Sequence, residues 1–81
     1  MREIEFKMEI AYDHIKKGVK VTVEKGELQD GLVVYYTIVP AIAMSGNFPR
    51  QEALSVDTGI ISEVRQDENS GAYYVTVEFD E

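Results

Sequence analysis

Residues 59–80 read Gly59-Ile60-Ile61-Ser62-Glu63-Val64-Arg65-Gln66-Asp67-Glu68-Asn69-Ser70-Gly71-Ala72-Tyr73-Tyr74-Val75-Thr76-Val77-Glu78-Phe79-Asp80. Tyr73, Val75, Val77 and Phe79 alternate with Tyr74, Thr76, Glu78 and Asp80, the period of a strand with one dry face. Val56–Arg65 is a second strand, with Gly59 early in it at the place of a bulge. Between them, Gln66–Gly71 is rich in residues that bond their own backbone and forms a turn. The expectation is an antiparallel hairpin, residues 56–65 against 72–80, with Val75, Val77 and Phe79 buried.

Moving towards the N-terminus, residues 40–54 have no clean period and read as a long, unusually apolar loop carrying Ile42, Met44, Phe48 and Leu54. Before it, Leu32–Val39 is β-branched and aromatic on both faces, the pattern of a central strand covered on both sides by other structure. Pro40 ends that strand, because proline has no amide to give a ladder. Residues 25–31 are a turn with Asp30-Gly31 as its strongest signal. Val19, Val21 and Val23 alternate with Lys20, Thr22 and Glu24, giving a strand with one wet face. The opening segment carries two patterns. Ile4, Phe6, Met8 and Ile10 alternate as in a strand, while Met8, Ala11, Tyr12 and Ile15 fall at helical spacing, with Lys16, Lys17 and Gly18 placed as a helix end. The reading is a strand over about 2–7 and a helix over about 8–17, with an uninterrupted hairpin strand as the competing reading.

The pattern Gly59–Val64, a polar turn, then Tyr73–Phe79 resembles the hairpins of small SH3-like and Tudor-like barrels. The resemblance covers about 25 of the 81 residues, identifies no family, and implies an architecture and a binding role. The predicted fold is therefore mainly β (α+β): one domain, residues 1–81, forming a small SH3-like barrel or strongly bent antiparallel sheet of about five strands with one short N-terminal helix. The helix departs from the barrels it resembles.

Charge is unevenly placed. The formal net charge is −7. Residues 27–81 hold ten acids against Arg50 and Arg65 alone, whereas residues 1–26 are close to neutral. Nucleic-acid affinity comes largely from cationic contacts, so such a surface disfavours a nucleic-acid partner. The absence of cysteine excludes disulfides, thiol chemistry and zinc ribbons, and favours a cytoplasmic location. The longest apolar run, Leu32–Met44, is 13 residues, too short for a membrane span. The acidic start Met1-Arg2-Glu3-Ile4-Glu5 does not read as a targeting segment.

No catalytic constellation emerges. His14 is the sole imidazole, and no Gly-x-Ser-x-Gly elbow or phosphate-binding glycine loop is present. Asp67, Asn69, Gly71 and Glu78 fall at positions 1, 3, 5 and 12 of a calcium loop, but position 6 is Ala72 and a strand follows where a helix is needed. The segment reads as a hairpin turn, with no metal and no cofactor expected. The chain is expected not to be an enzyme.

What remains is surface. Tyr35-Tyr36 and Tyr73-Tyr74 are adjacent pairs, so each puts one ring inward and one outward. Outward Tyr35 and Tyr74, with Met44, Phe48 and Arg50 from the long loop, are the candidate partner-binding residues. The functional reading is a small acidic non-catalytic module acting through a protein–protein surface, on another protein or on a second copy of itself. A nucleic-acid mimic that occupies a basic groove of an enzyme is the alternative, prompted by the eight acids between Glu52 and Glu81. A small-molecule pocket is a weaker third.

Overall fold

Alternation builds the strands. A computed structural model describes residues 1–40 and 43–81; Ile42 of the long loop lies outside the described residues. The strands are β1 (Arg2–Met8), β2 (Lys20–Leu28), β3 (Val33–Val39), β4 (Ala43–Ser45), β5 (Phe48–Pro49), β6 (Thr58–Gln66) and β7 (Tyr73–Phe79). Two single 3-10 turns, Gln29–Gly31 and Arg50–Glu52, complete the described elements. All pairings are antiparallel. The order is β2-β6-β7-β1-β4-β3-β5, and β3 pairs in addition with β2, so the series of pairings returns to its first strand.

One residue in two from each long strand points inward. Ile4, Phe6 and Met8 of β1, Val21 and Val23 of β2, Val34, Tyr36 and Ile38 of β3, Ile61 of β6, and Val75, Val77 and Phe79 of β7 form a single buried cluster with Ala43 and Ile15. The terminal hairpin pairs as its alternation predicts, from Ile60↔Glu78 to Gln66↔Tyr73. Its turn is tied by the Asp67 carboxylate, which accepts from Ser70 Oγ at 2.8 Å and from the Asn69 amide at 3.4 Å. Those bonds, the Ser70 hydroxyl first, hold the Asp67 carboxyl below its usual range.

The expected helix over 8–17 is not formed. Met8 is taken by β1, where it pairs with Tyr73 on one side and Ala43 on the other. The helical stripe loses its first member, and a segment this short is marginal without a packed face. What remains are isolated turns, with the Ile15 amide donating to the Tyr12 carbonyl at 3.0 Å and the Val19 amide to the Lys16 carbonyl at 3.2 Å. Ile15 is buried and plugs the cluster from this loop. Gly18 does take the left-handed backbone (φ +91°) that its sequence context suggests.

Three further expectations shift. The turn at 25–31 shrinks to Gln29–Gly31, because Gly26 sits inside β2 opposite Tyr35. The irregularity in β6 falls between Ile61 and Glu63 rather than at Gly59. Gly59 is needed for a different reason: a Cβ there would lie 2.7 Å from the Glu78 carbonyl oxygen. The outer face of β3 is half-exposed, with no helix over it among the described residues. Within residues 43–54, short strands β4 and β5 replace the irregular loop.

Candidate functional site

β1 lies between β4 and β7, and this position builds the site. Lys7 faces Met44 on β4 and Tyr74 on β7. The row continues from Met44 to Thr37 on β3 and from Tyr74 to Arg65 on β6. All five side chains are on the outer face, because the residues beside them on β1, Phe6 and Met8, point inward. The row borders a groove of about 550 Å³ lined by Glu5, Lys7, Glu9, Met44, Ser45, Gly46 and Tyr74.

Apolar and charged groups are interleaved there. Met44 is 46% exposed. The Arg65 guanidinium lies 4.6 Å from the centre of the Tyr74 ring, an attractive cation–π placement. Arg65 also reaches Glu5 Oε2 at 3.3 Å and Glu63 at 4.0 Å, and Lys7 reaches Glu9 at 3.8 Å. Such exposed pairs contribute little to stability, so these charges are free to re-pair with an incoming surface at small cost.

The structure brings Met44 and Tyr74 together and puts the other candidates elsewhere. The Tyr35 ring lies over Gly26, where any Cβ would collide with it. Phe48 is half-buried against the core, its ring 6.5 Å from that of Tyr36, with the Arg2 guanidinium 5.3 Å above it. Arg50 is exposed, and its amide donates to the Leu32 carbonyl at 3.0 Å. Among the described residues no carboxylate, that of the nearby Glu52 included, lies within 4.0 Å of the Arg50 guanidinium.

Sequence reasoning missed Glu5, Lys7 and Glu9. Their signal was the alternation of β1 itself, since every second residue of a half-buried strand is a surface residue. What no local pattern carries is that β4 and β7 flank β1.

A second groove, of about 590 Å³, opens between β2 and the segment before β6, and is lined by Val23, Lys25, Tyr36, Leu54, Ser55, Val56, Asp57 and Thr58. Three bonds fix its far wall. The Leu54 amide donates to Tyr36 Oη at 2.6 Å, the Ser55 amide to Glu81 Oε1 at 2.8 Å, and the Val23 amide to the Asp57 carbonyl at 2.8 Å. The Ser55 amide, with the nearby Arg2, holds the Glu81 carboxyl below its usual range.

Among the described residues, no group of three or more His, Asp or Glu side chains is placed to hold a metal ion, and no helix is long and apolar enough to cross a membrane. The chain matches no protein-family model, no curated protein and no solved structure.

Proposed function

We propose that this chain is a small, acidic, non-catalytic binding module of the cytoplasm, and that it holds a protein partner on the outer-face groove between β4 and β7. The observation that carries this reading is the row Met44–Lys7–Tyr74. An exposed methionine adapts its shape to a partner, and tyrosine gives contact area with little entropy to lose. Paired charges around the two supply a polar rim. The architecture proposed with it is a closed SH3-like barrel, because the strand pairings return to β2. Interior side chains fill such a small sheet, so a partner must be met from outside.

The test compares Met44→Ser with Phe48→Ser in a thermal melt and in a pull-down from the native cell. Met44→Ser is expected to keep stability within about 0.5 kcal/mol, as exposed sites do, and to lose the partner retained by the unaltered chain. Phe48→Ser is expected to lower stability. A Met44→Ser protein that melts earlier yet binds normally rules the groove out.

The nucleic-acid mimic rests on a separate observation. Glu3 and Glu78 lie directly opposite each other on β1 and β7, and Glu5 and Glu63 both face Thr76. Like charges directly opposed cost stability, and a basic groove would relieve that cost. Glu3→Lys with Glu78→Lys would then abolish binding, whereas Met44→Ser would not.

A further inference from the structure

β2 is paired on both sides for only part of its length. Towards β6 it pairs as Lys20↔Ile60, Val21↔Gly59 and Thr22↔Thr58, and that ladder ends where the Val23 amide donates to the Asp57 carbonyl. Upstream of Asp57 the chain leaves the ladder, its Leu54 and Ser55 amides bonded to Tyr36 and Glu81 instead, and it stands across the second groove from Lys25. Towards β3 the pairing continues unbroken to Leu28↔Val33. Bonding direction alternates along an antiparallel strand. The amides and carbonyls of Lys25 and Glu27 therefore point the same way as those of Val23, away from β3. Among the described residues, no backbone or side-chain group bonds them there. Glu24, Lys25, Glu27 and Leu28 are all exposed.

An open edge of this kind is either guarded or used. A guard repels a second strand, and like charges would do that. Here Lys25 and Glu27 are of opposite sign and stand symmetrically about Gly26. We propose that this edge pairs with the same edge of a second copy of the chain, antiparallel about a two-fold axis at Gly26. Lys25 of each copy then stands opposite Glu27 of the other, and each such pair exchanges both N–H···O bonds across the seam. Opposite charges in that position stabilise the pairing. Gly26 meets Gly26 at the axis, in a non-hydrogen-bonded position where Cα atoms approach to about 4.5 Å. The Tyr35 ring that covers Gly26 in each copy roofs the outer side of the seam.

The seam is short, below the roughly 1,200 Å² of a stable interface, so the dimer forms reversibly with concentration. It lies apart from the Met44–Tyr74 groove, and neither reading depends on the other.

Sedimentation equilibrium over a wide concentration range tests the proposal. The unaltered chain is expected to pass from monomer to dimer. Lys25→Glu and Glu27→Lys each set like charges across the seam and are expected to weaken the dimer at least about tenfold, with the melting temperature of the dilute, monomeric chain unchanged because both sites are exposed. An equal mixture of the two variants restores opposite charges in both pairs and is expected to form a heterodimer. Amide exchange on the unaltered chain reads the edge directly. The Lys25 and Glu27 amides gain protection as concentration rises, whereas those of Glu24 and Gly26, which face β3, are protected throughout. A chain that stays monomeric, a dimer untouched by both variants, a mixture that does not associate, or amides at 25 and 27 indifferent to concentration would overturn it. An extended peptide from another protein on this edge would show as a monomeric chain in the first measurement.

Discussion

Val77 and Thr76 are neighbours on β7 with opposite fates, and substituting each tests the register on which the outer-face groove depends. Val77 is fully buried and stands between Ile4 on β1 and Ile61 on β6. Val77→Ala removes two methyl-sized groups from that position, a transfer loss of about 1.6 kcal/mol at about 0.8 per buried group. If the strands on either side do not close in, a residual cavity of up to about 50 Å³ adds roughly 1 kcal/mol. The expected cost is thus about 2–3 kcal/mol. Thr76 faces outward between Glu5 and Glu63 and is half-buried. Thr76→Ala gives up only strand preference and a partial contact, below about 1 kcal/mol. In a thermal melt of a domain this size, each kcal/mol moves the midpoint by about 4–8 °C. Val77→Ala should then melt some 10–20 °C early and Thr76→Ala only a few degrees. Equal losses at the two positions would mean that β7 is displaced by one residue, which exchanges its faces. Tyr74 would then point into the core, and the groove would have no aromatic wall.

Three more perturbations have defined outcomes. The Glu81 carboxyl is held below its usual range by the Ser55 amide first and Arg2 after it. Its contribution is therefore present above the ordinary carboxylate pKa and is lost as pH falls through its depressed value. Glu81→Gln should melt earlier than the unaltered chain at pH 7, and the gap should close in acid; a gap independent of pH would refute the assignment. Gly59→Ala should cost about 1–3 kcal/mol as an overpacked site, since its Cβ would sit 2.7 Å from the Glu78 carbonyl oxygen, which is backbone and cannot swing aside. Gly46→Ala meets nothing within 4 Å and serves as the comparison in chemical denaturation. Millimolar calcium should leave the melting temperature unchanged, because the Asp67 carboxylate is engaged by Ser70 and Asn69 and a strand follows. A bound ion would instead stabilise by roughly 2–3 kcal/mol.

The strands were legible where alternation runs long enough to decide a face. β7 could be read in both extent and orientation from Tyr73 to Phe79, and β3 lost only Leu32 from its predicted span. Legibility failed where two periods shared residues. Met8 belongs to the strand stripe with Ile4 and Phe6 and to a helical stripe with Ala11, Tyr12 and Ile15. The choice was made by partners far away in sequence, Tyr73 and Ala43. It failed again where an element is too short to show a period. β4 spans only Ala43–Ser45, so nothing local separates it from loop. Gly26 misled for a third reason. Its neighbours in sequence suggest a turn, whereas its neighbour in space is the Tyr35 ring. In the site, Tyr74 was nameable as the outward ring of a strand pair and Met44 as an apolar side chain of the long loop. That Lys7 joins them follows from strand order alone.

The same physics explains why both candidate contact regions lie outside the core. With Phe6, Phe79, Met8, Ile38 and Ile61 among its fully buried side chains, the interior is occupied by the residues that make an 81-residue chain fold. A domain this small buries only about 60% of its unfolded surface, so hollowing out a ligand cavity would remove stability it needs. Chemistry has to be placed on residues the core does not use. These are of two kinds: outward side chains, which cross-strand register gathers into rows such as Met44–Lys7–Tyr74, and backbone groups that no neighbouring strand satisfies, at Lys25 and Glu27. The first kind is specific through shape and charge, and can change by substitution without disturbing the fold. The second is fixed by where the segment before β6 turns from β2 towards Tyr36 and Glu81. A change at Tyr36 or Glu81 that let residues 53–57 fall back along β2 would extend its ladder past Val23 and close the edge. Tyr36→Phe, which removes the hydroxyl bonded to the Leu54 amide, is therefore expected to weaken self-association while leaving the Met44–Tyr74 groove intact. Self-association unchanged in Tyr36→Phe would show that the Leu54 bond is not what holds the edge open.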